Sequence, residues 1–401
     1  MKFLKIYLVF CLSICFIISC KQKTIPKKIN YALPYKFNYE IEQQLAKDSM
    51  PWRFQIAASE YTLKGNYKDA LQMWDSVFPP RELLYSSKEI DSVKKIKTNS
   101  AREIIISEAK ENRIVIINEA HHSSKHRVFT KELLNDLYIN GYRHLGLEAL
   151  GNGANLDSLL NRRKYPIQNS GYYTKDPQFG NLIREALRIG FHVFAYEDTF
   201  SNNGKEREIT QAKNVQKVIS QFPKDKILLH CGFDHALEGQ HKSWGKAMAA
   251  RVKEFTGIDP LTINQVVYDE KSSPNFNHPL MKALNVEEPT VLIDENNKPI
   301  RYHRGDSWND IFVIHPNTKF SENKAIWVKK PTRINLSAFK VAYPIIVLAY
   351  LKNEDFSNAI PVDISELKDE NDTCILNLEK GAYNIVVTNS SESYKFTEIV
   401  E

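Results

Sequence analysis

The run from Arg113 to Leu150, RIVIINEAHHSSKHRVFTKELLNDLYINGYRHLGLEAL, constrains what this chain can fold into more than any other stretch. It opens on a β-branched apolar run, Ile114 to Ile117, that stops at Asn118-Glu119-Ala120-His121-His122. An amphipathic segment follows, and a second apolar run ends on Glu148. Short, continuous apolar runs are the pattern of strands buried on both faces, which occur in parallel sheets covered by helices. Ligands of such sheets bind beyond the carboxyl ends of the strands. Two strands that each end in ionisable residues therefore predict a parallel α/β sheet with a site at that edge.

The alternation continues along the chain. Strands are expected at 113–118, 144–148, 192–196, 226–230 and 262–268, with helices at 125–140, 178–189, 206–221 and 244–256 between them. Gly141 and Gly190 stand just past helix ends, where a left-handed residue closes the last turn. The segment 151–177 is longer than a usual βα connection and reads as a lid or binding loop. Upstream, two helical patterns, 40–64 and 67–77, hinge at Gly65-Asn66, and a third spans 88–111. From residue 286 short alternating runs separated by turns replace the helices, which predicts a small all-β, sandwich-like domain. The expected organisation is a signal at 1–20, a tether at 21–39, a helical segment at 40–97, an α/β domain at 98–285 and a β domain at 286–401.

The N-terminus reads as a targeting segment. Lys2 and Lys5 precede an apolar stretch from Ile6 to Ser19, too short for a comfortable membrane span, and Cys20 is followed at once by Lys-Gln-Lys. This resembles a bacterial lipoprotein signal. It implies lipid on Cys20, membrane attachment through that lipid, and a place in the cell envelope, at the outer membrane or the periplasmic face. The formal charge of +6 owes much to Lys21, Lys23, Lys27 and Lys28. No basic stripe interleaved with aromatics follows, which argues against nucleic acid as a partner. Cys11 and Cys15 fall in the signal, so Cys231 and Cys374 remain in the fold and make no disulfide framework.

The strand ends carry the chemistry. The first supplies Glu119, His121 and His122, the second Glu148, the third Glu197 and Asp198, and the fourth His230, Asp234 and His235. One histidine near a strand end is ordinarily a satisfied core residue. Acids and histidines at four successive strand ends are a site. Histidine takes a proton from water near neutrality, and neighbouring carboxylates orient it or share the proton. Glu119, His122, Glu148 and His235 are also a plausible divalent-metal set. No phosphate loop, serine elbow or HExxH helix appears.

In order, NEAHH, GLE, YED, EREITQAKNV and HCGFDHA resemble the erythromycin-esterase-like family, within a superfamily that includes the TraB, Tiki and ChaN-like haem-binding proteins. The resemblance covers about residues 98–270. Carried over, it implies that Glu119, Glu148, Glu197, His235 and one of His121 and His122 form a catalytic set. Arg207 and Asn214 match an Arg and an Asn on the following helix, as substrate-binding residues. Asn118 stands where the family has Gly, and Asn is the ordinary residue that best tolerates a left-handed turn. The expected function is a surface-anchored hydrolase that activates water against an ester, lactone or amide of a small-molecule or peptide substrate. The Tiki resemblance implies a metal-dependent version. The alternative is a non-catalytic binder of haem, iron or a small ligand, with Tyr172 and Tyr173 of the long loop available to it.

Overall fold

A computed structural model describes residues 26–201, 203–321, 324–326 and 331–401. The expected signal and Cys20, the expected site of lipid, lie outside the described residues.

The centre is a six-stranded, wholly parallel sheet with helices on both faces. Its strands are β1 (Ile114–Glu119), β2 (Tyr142–Leu147), β3 (His192–Ala195), β4 (Lys226–Gly232), β5 (Leu261–Asn264) and β6 (Ile311–Phe312), in the order β6-β5-β1-β4-β2-β3. Side chains of β1 alternate between the two faces as the pleat requires. Val115 and Ile117 pack with Phe129, Leu133 and Leu137 of helix α1 (Ser124–Ile139) and with Phe179, Leu182 and Ile183 of α2 (Pro177–Ile189). Ile114 and Ile116 pack with Ala212 and Val215 of α3 (Gly204–Gln221) and with Met248 and Val252 of α4 (Met248–Thr256). This two-sided burial explains the continuous apolar runs within the strands, such as residues 114–117 and 227–229. Gly190 closes α2 at φ +116° as expected.

Beyond the sheet the sequence reading needs correcting in four places. The segment 21–39 is not simply a tether: Lys27–Ile29 pairs with Ser393–Lys395, and Tyr35 and Phe37 are buried. The pattern at 40–64 is two helices, Asn38–Lys47 and Arg53–Leu63, followed by Tyr67–Asp75. The helix expected over 88–111 is interrupted by a strand, Lys97–Ser100, which pairs antiparallel with Thr290–Ile293. The chain does not pass into a separate β domain at 286. Thr290–Ile293 serves the α/β unit through that pairing, and β6 extends the parallel sheet by following β5 in register (Ile311 opposite Ile263). The runs at 290–293 and 311–314 are strands as expected, but a short run does not say which sheet it joins.

Most of the C-terminal strands form one five-stranded antiparallel sheet, and a two-stranded pair, Pro331–Arg333 with Ile375–Asn377, packs on one face of it. Ile345–Leu351 lies between Asp363–Leu367 and Gly381–Thr388, and Ser393–Val400 then carries Lys27–Ile29 at the edge. One face buries Val347, Ile385 and Phe396 with Leu376 and Leu378. The other buries Ile346, Leu348 and Tyr350 against Tyr35, Phe37 and Leu63.

Candidate active site

The carboxyl ends of β1, β2 and β3 converge on a cavity of about 1030 Å³, whose floor carries His121, Glu148, Glu197 and Arg207. Glu119 ends β1 and is buried beneath His121. Arg127, one turn into α1 and wholly buried, grips it twice: Nε donates to Oε2 and Nη2 to Oε1, each at 2.6 Å. The same guanidinium donates to the His121 carbonyl (2.9 Å) and to Asp176 Oδ2 (2.8 Å). Asp176 caps α2 by accepting from Phe179 N–H and also holds Ser124 Oγ (2.9 Å). Burial alone would raise Glu119, but the Arg127 charge and hydrogen bonds outweigh it and hold the carboxyl well below the usual range.

The ionised Glu119 decides the state of His121. A carboxylate only accepts, so His121 Nδ1 carries the proton and donates to Glu119 Oε1 at 3.0 Å. Nε2 is left as the basic nitrogen. The ring lies flat on Tyr173, with centroids 3.8 Å apart, and edge-on to Phe233. Gly232 packs beneath it so closely that a Cβ there would stand 2.4 Å from His121 Cε1. Phe233 takes φ +40°, an unusual conformation for a bulky residue.

His122 belongs elsewhere. It stacks on Trp74 (4.0 Å) and lines a second cavity of about 270 Å³ with Phe233 and Asp269, while His121 lines the first. Burial pushes His122 down to about 3. The structure therefore separates the doubled histidine into one residue at the floor of the main cavity and one outside it. Asn118 is a strand residue without left-handed geometry. Its side chain donates to the Phe233 carbonyl (2.7 Å) and accepts from Gln265 N–H (2.7 Å), tying β1 to the loops after β4 and β5.

Across the floor, Arg207 of α3 is the hub. Nε donates to Glu197 Oε1 (3.0 Å), and Nη2 reaches Glu148 Oε1 and Glu197 Oε2 at 2.5 Å each. Glu148 also accepts from Gly232 N–H (2.5 Å). Burial raises Glu148, but His235 and Arg207 overcome it and leave the carboxyl below its ordinary value. His235 is buried behind Arg207. Its Nδ1 donates to Glu208 Oε2 (2.9 Å), and its Nε2 faces Arg207 Nη1 at 3.0 Å and Glu148 Oε1 at 3.3 Å. A charged ring donates to Glu148, and a neutral ring accepts from Arg207. Burial disfavours the charge, but Glu148 and Glu208 outweigh it and raise His235 above its ordinary value.

The geometry thus gathers Glu119, His121, Glu148, Glu197, Arg207 and, behind them, His235. It leaves Asn214 outside, donating to the Tyr196 carbonyl (3.1 Å) as a brace for α3. Tyr172 and Tyr173 line the cavity wall. Arg127 and Glu208 sit on helices, where charges read as solvated faces, and Asp176 closes the long loop as the cap of α2, so the sequence pattern marks none of them. The run Lys125-His126-Arg127 in the first turn of α1 is the signal that was available: three basic residues in a row, all of them buried.

The proposed metal set does not fit. Glu119 gives both oxygens to Arg127, His122 opens on the other cavity, and Glu148 faces a guanidinium. Among the described residues no three His, Cys, Asp or Glu side chains are grouped to hold an ion. Burial pushes Tyr173, which stacks on His121, up to about 12. Cys231 and Cys374 are both free and buried. Among the described residues no helix is long and apolar enough to cross a membrane.

No protein-family model matches the chain, and no curated protein matches its sequence. Among solved structures, the type III effector HopBA1 is similar over 46% of this chain and 94% of its own, at 14% identity and a TM-score of 0.32. RRSP, a MARTX toxin effector domain from Vibrio vulnificus CMCP6, is similar over 59% of this chain and 48% of its own, at 14% identity and a TM-score of 0.30. Likeness at this level says nothing of what the present chain does.

Proposed function

We propose that this chain is a hydrolase in which His121 is the general base. The observation that carries the reading is the buried Arg127–Glu119–His121 chain, which leaves a basic Nε2 on a ring at the cavity floor. Nε2 takes a proton from water, and Glu119 steadies the imidazolium that forms. The resulting hydroxide adds to the carbonyl carbon of an ester or amide. Arg207, which lines the same floor, stabilises the oxyanion. Collapse of the tetrahedral intermediate expels the leaving group, which regains the proton from His121. Arg207 keeps its charge: burial opposes it, but Glu197 and Glu148 raise it further above its already high range. His235 and Glu208 hold Glu148 and Arg207 in place. On this reading the enzyme works in the bacterial envelope, attached through lipid on Cys20.

The test is turnover of p-nitrophenyl esters and anilides by the purified chain and by His121→Ala and Arg207→Met. General-base loss removes about 10²–10⁴ in rate. Wild-type rates in His121→Ala, or no turnover by the native chain, would refute the assignment.

A further inference from the structure

The wall of the main cavity is unlike its floor. The floor is charged. The wall, built by the insertion after β2, presents Leu156, Leu159 and Tyr172 to the cavity, 51%, 48% and 45% exposed. Phe200, 87% exposed, stands beside Gly153 of the same insertion. Exposed leucines on a mobile loop would be unremarkable, but this loop is braced. Asp157 receives both Arg163 and Ser170 Oγ, and Ser170 Oγ accepts from Ile167 N–H (2.8 Å). Asn161 exchanges two hydrogen bonds with the backbone of Val193 in β3. Ile167 bridges to Ala359 next to the C-terminal sheet. Gly171 runs so close to the backbone that a Cβ would meet the Ala149 carbonyl oxygen at 2.0 Å. The insertion is thus a preformed wall whose apolar side chains stay in contact with water, which is the mark of a binding surface. Of its charges that line the cavity, Arg163 and Asp157 neutralise each other, and Lys175 lies over the Tyr172 ring at 5.9 Å.

From this we infer that the substrate is an uncharged ester or amide with an extended apolar body, laid along Leu156, Leu159 and Tyr172 while its carbonyl reaches the floor. This deepens the hydrolase reading and rests on it for the chemistry, though not for the binding. Each methylene buried on the wall strengthens binding by roughly 0.8 kcal/mol at most, about fourfold.

Two measurements on the purified full chain, each repeated on the double variant Leu156→Asn/Leu159→Asn, test it. The first is kcat/KM for p-nitrophenyl acetate, butyrate and octanoate. The second is the affinity for non-hydrolysable methyl ketones of matching length, by ligand-observed NMR. The native chain is expected to favour octanoate over butyrate at least tenfold. The double variant should lose most of that preference, and ketone affinity should follow the same pattern. Ketone affinity that is flat with length, or a length preference that survives the double substitution, overturns the inference. Length-dependent ketone binding with no ester turnover upholds the apolar wall and sinks the hydrolase reading instead.

Discussion

Replacing Arg127 with Met should cost the protein a large part of its stability, and by an amount that depends on pH. Arg127 is wholly buried and makes four hydrogen bonds, three of them to the carboxylates of Glu119 and Asp176, which are themselves buried. Methionine fills much of the same volume but leaves both acids without a cation. Removing one partner of a buried ion pair costs about 3–5 kcal/mol, a large share of the ~5–15 kcal/mol that holds a domain together. The pH dependence follows from Glu119. In the native chain its carboxyl sits below the unfolded value, so its contribution is present above that value and fades as pH falls through the depressed native one. In the variant, burial without Arg127 lifts Glu119 above the unfolded value. Its contribution is then complete at low pH and is lost as pH rises through the raised value. The stability gap between native and variant chains should therefore widen between about pH 5.5 and about pH 8. Urea unfolding followed by far-ultraviolet circular dichroism at the two pH values measures it. A loss under about 1 kcal/mol at both, or a gap that does not change with pH, would show that the Arg127 cluster is not the buried ion-pair network described.

Other outcomes follow from the same geometry. Gly232→Ala places a methyl group against His121, which must move by about an ångström. Turnover should fall roughly 100-fold, with the far-ultraviolet spectrum unchanged. Glu208→Gln removes a carboxylate that favours the charged His235. Because the native His235 value is raised, its contribution to stability is present at low pH and lost as pH rises through that value. The variant should therefore be less stable than the native chain at about pH 5.5 and nearly equal to it at about pH 8, as thermal unfolding would show. His122→Phe and Asn214→Ala, both away from the cavity floor, should keep kcat within about threefold. Burial pushes the Cys231 thiol well up, so a maleimide should label it only in denaturant, as read by intact mass.

The central sheet was legible because burial on both faces forces an apolar run that is visible without context. Five strands fall within a few residues of their expected places on that ground, whereas β6, legible as a short strand at 311–314, is expected in the β domain because only β5 beside it says which sheet it joins. The acids and histidines of the floor were legible for a related reason. A strand end is a sharp boundary, and a charged residue immediately after an apolar run must face the sheet edge. Choosing His121 over His122 needed the third dimension, since two consecutive residues on a turn point apart and nothing local says which way the cavity lies. Arg127 and Glu208 were invisible because their partners come from other elements, and a helix sequence alone does not say which turn is buried. The C-terminal strands were visible as alternation, but their partner at the sheet edge, Lys27–Ile29, is a three-residue segment hidden in a lysine- and proline-containing stretch.

That edge pairing has a consequence for how the chain folds. Lys27 lies opposite Lys395, so joining them closes a loop of nearly the whole described chain. Closing so long a loop costs about 3 kcal/mol more in entropy than closing a ten-residue hairpin. Little offsets that cost until the rest of the C-terminal sheet stands ready to receive the strand and its neighbours Tyr35 and Phe37. The segment from 26 to 37 should therefore dock last, and until then one apolar face of the C-terminal sheet stays open to solvent. Pulse-labelled hydrogen exchange during refolding should show the amides of this segment gaining protection after those of β1 and β4. If they are protected first, this order of assembly is wrong.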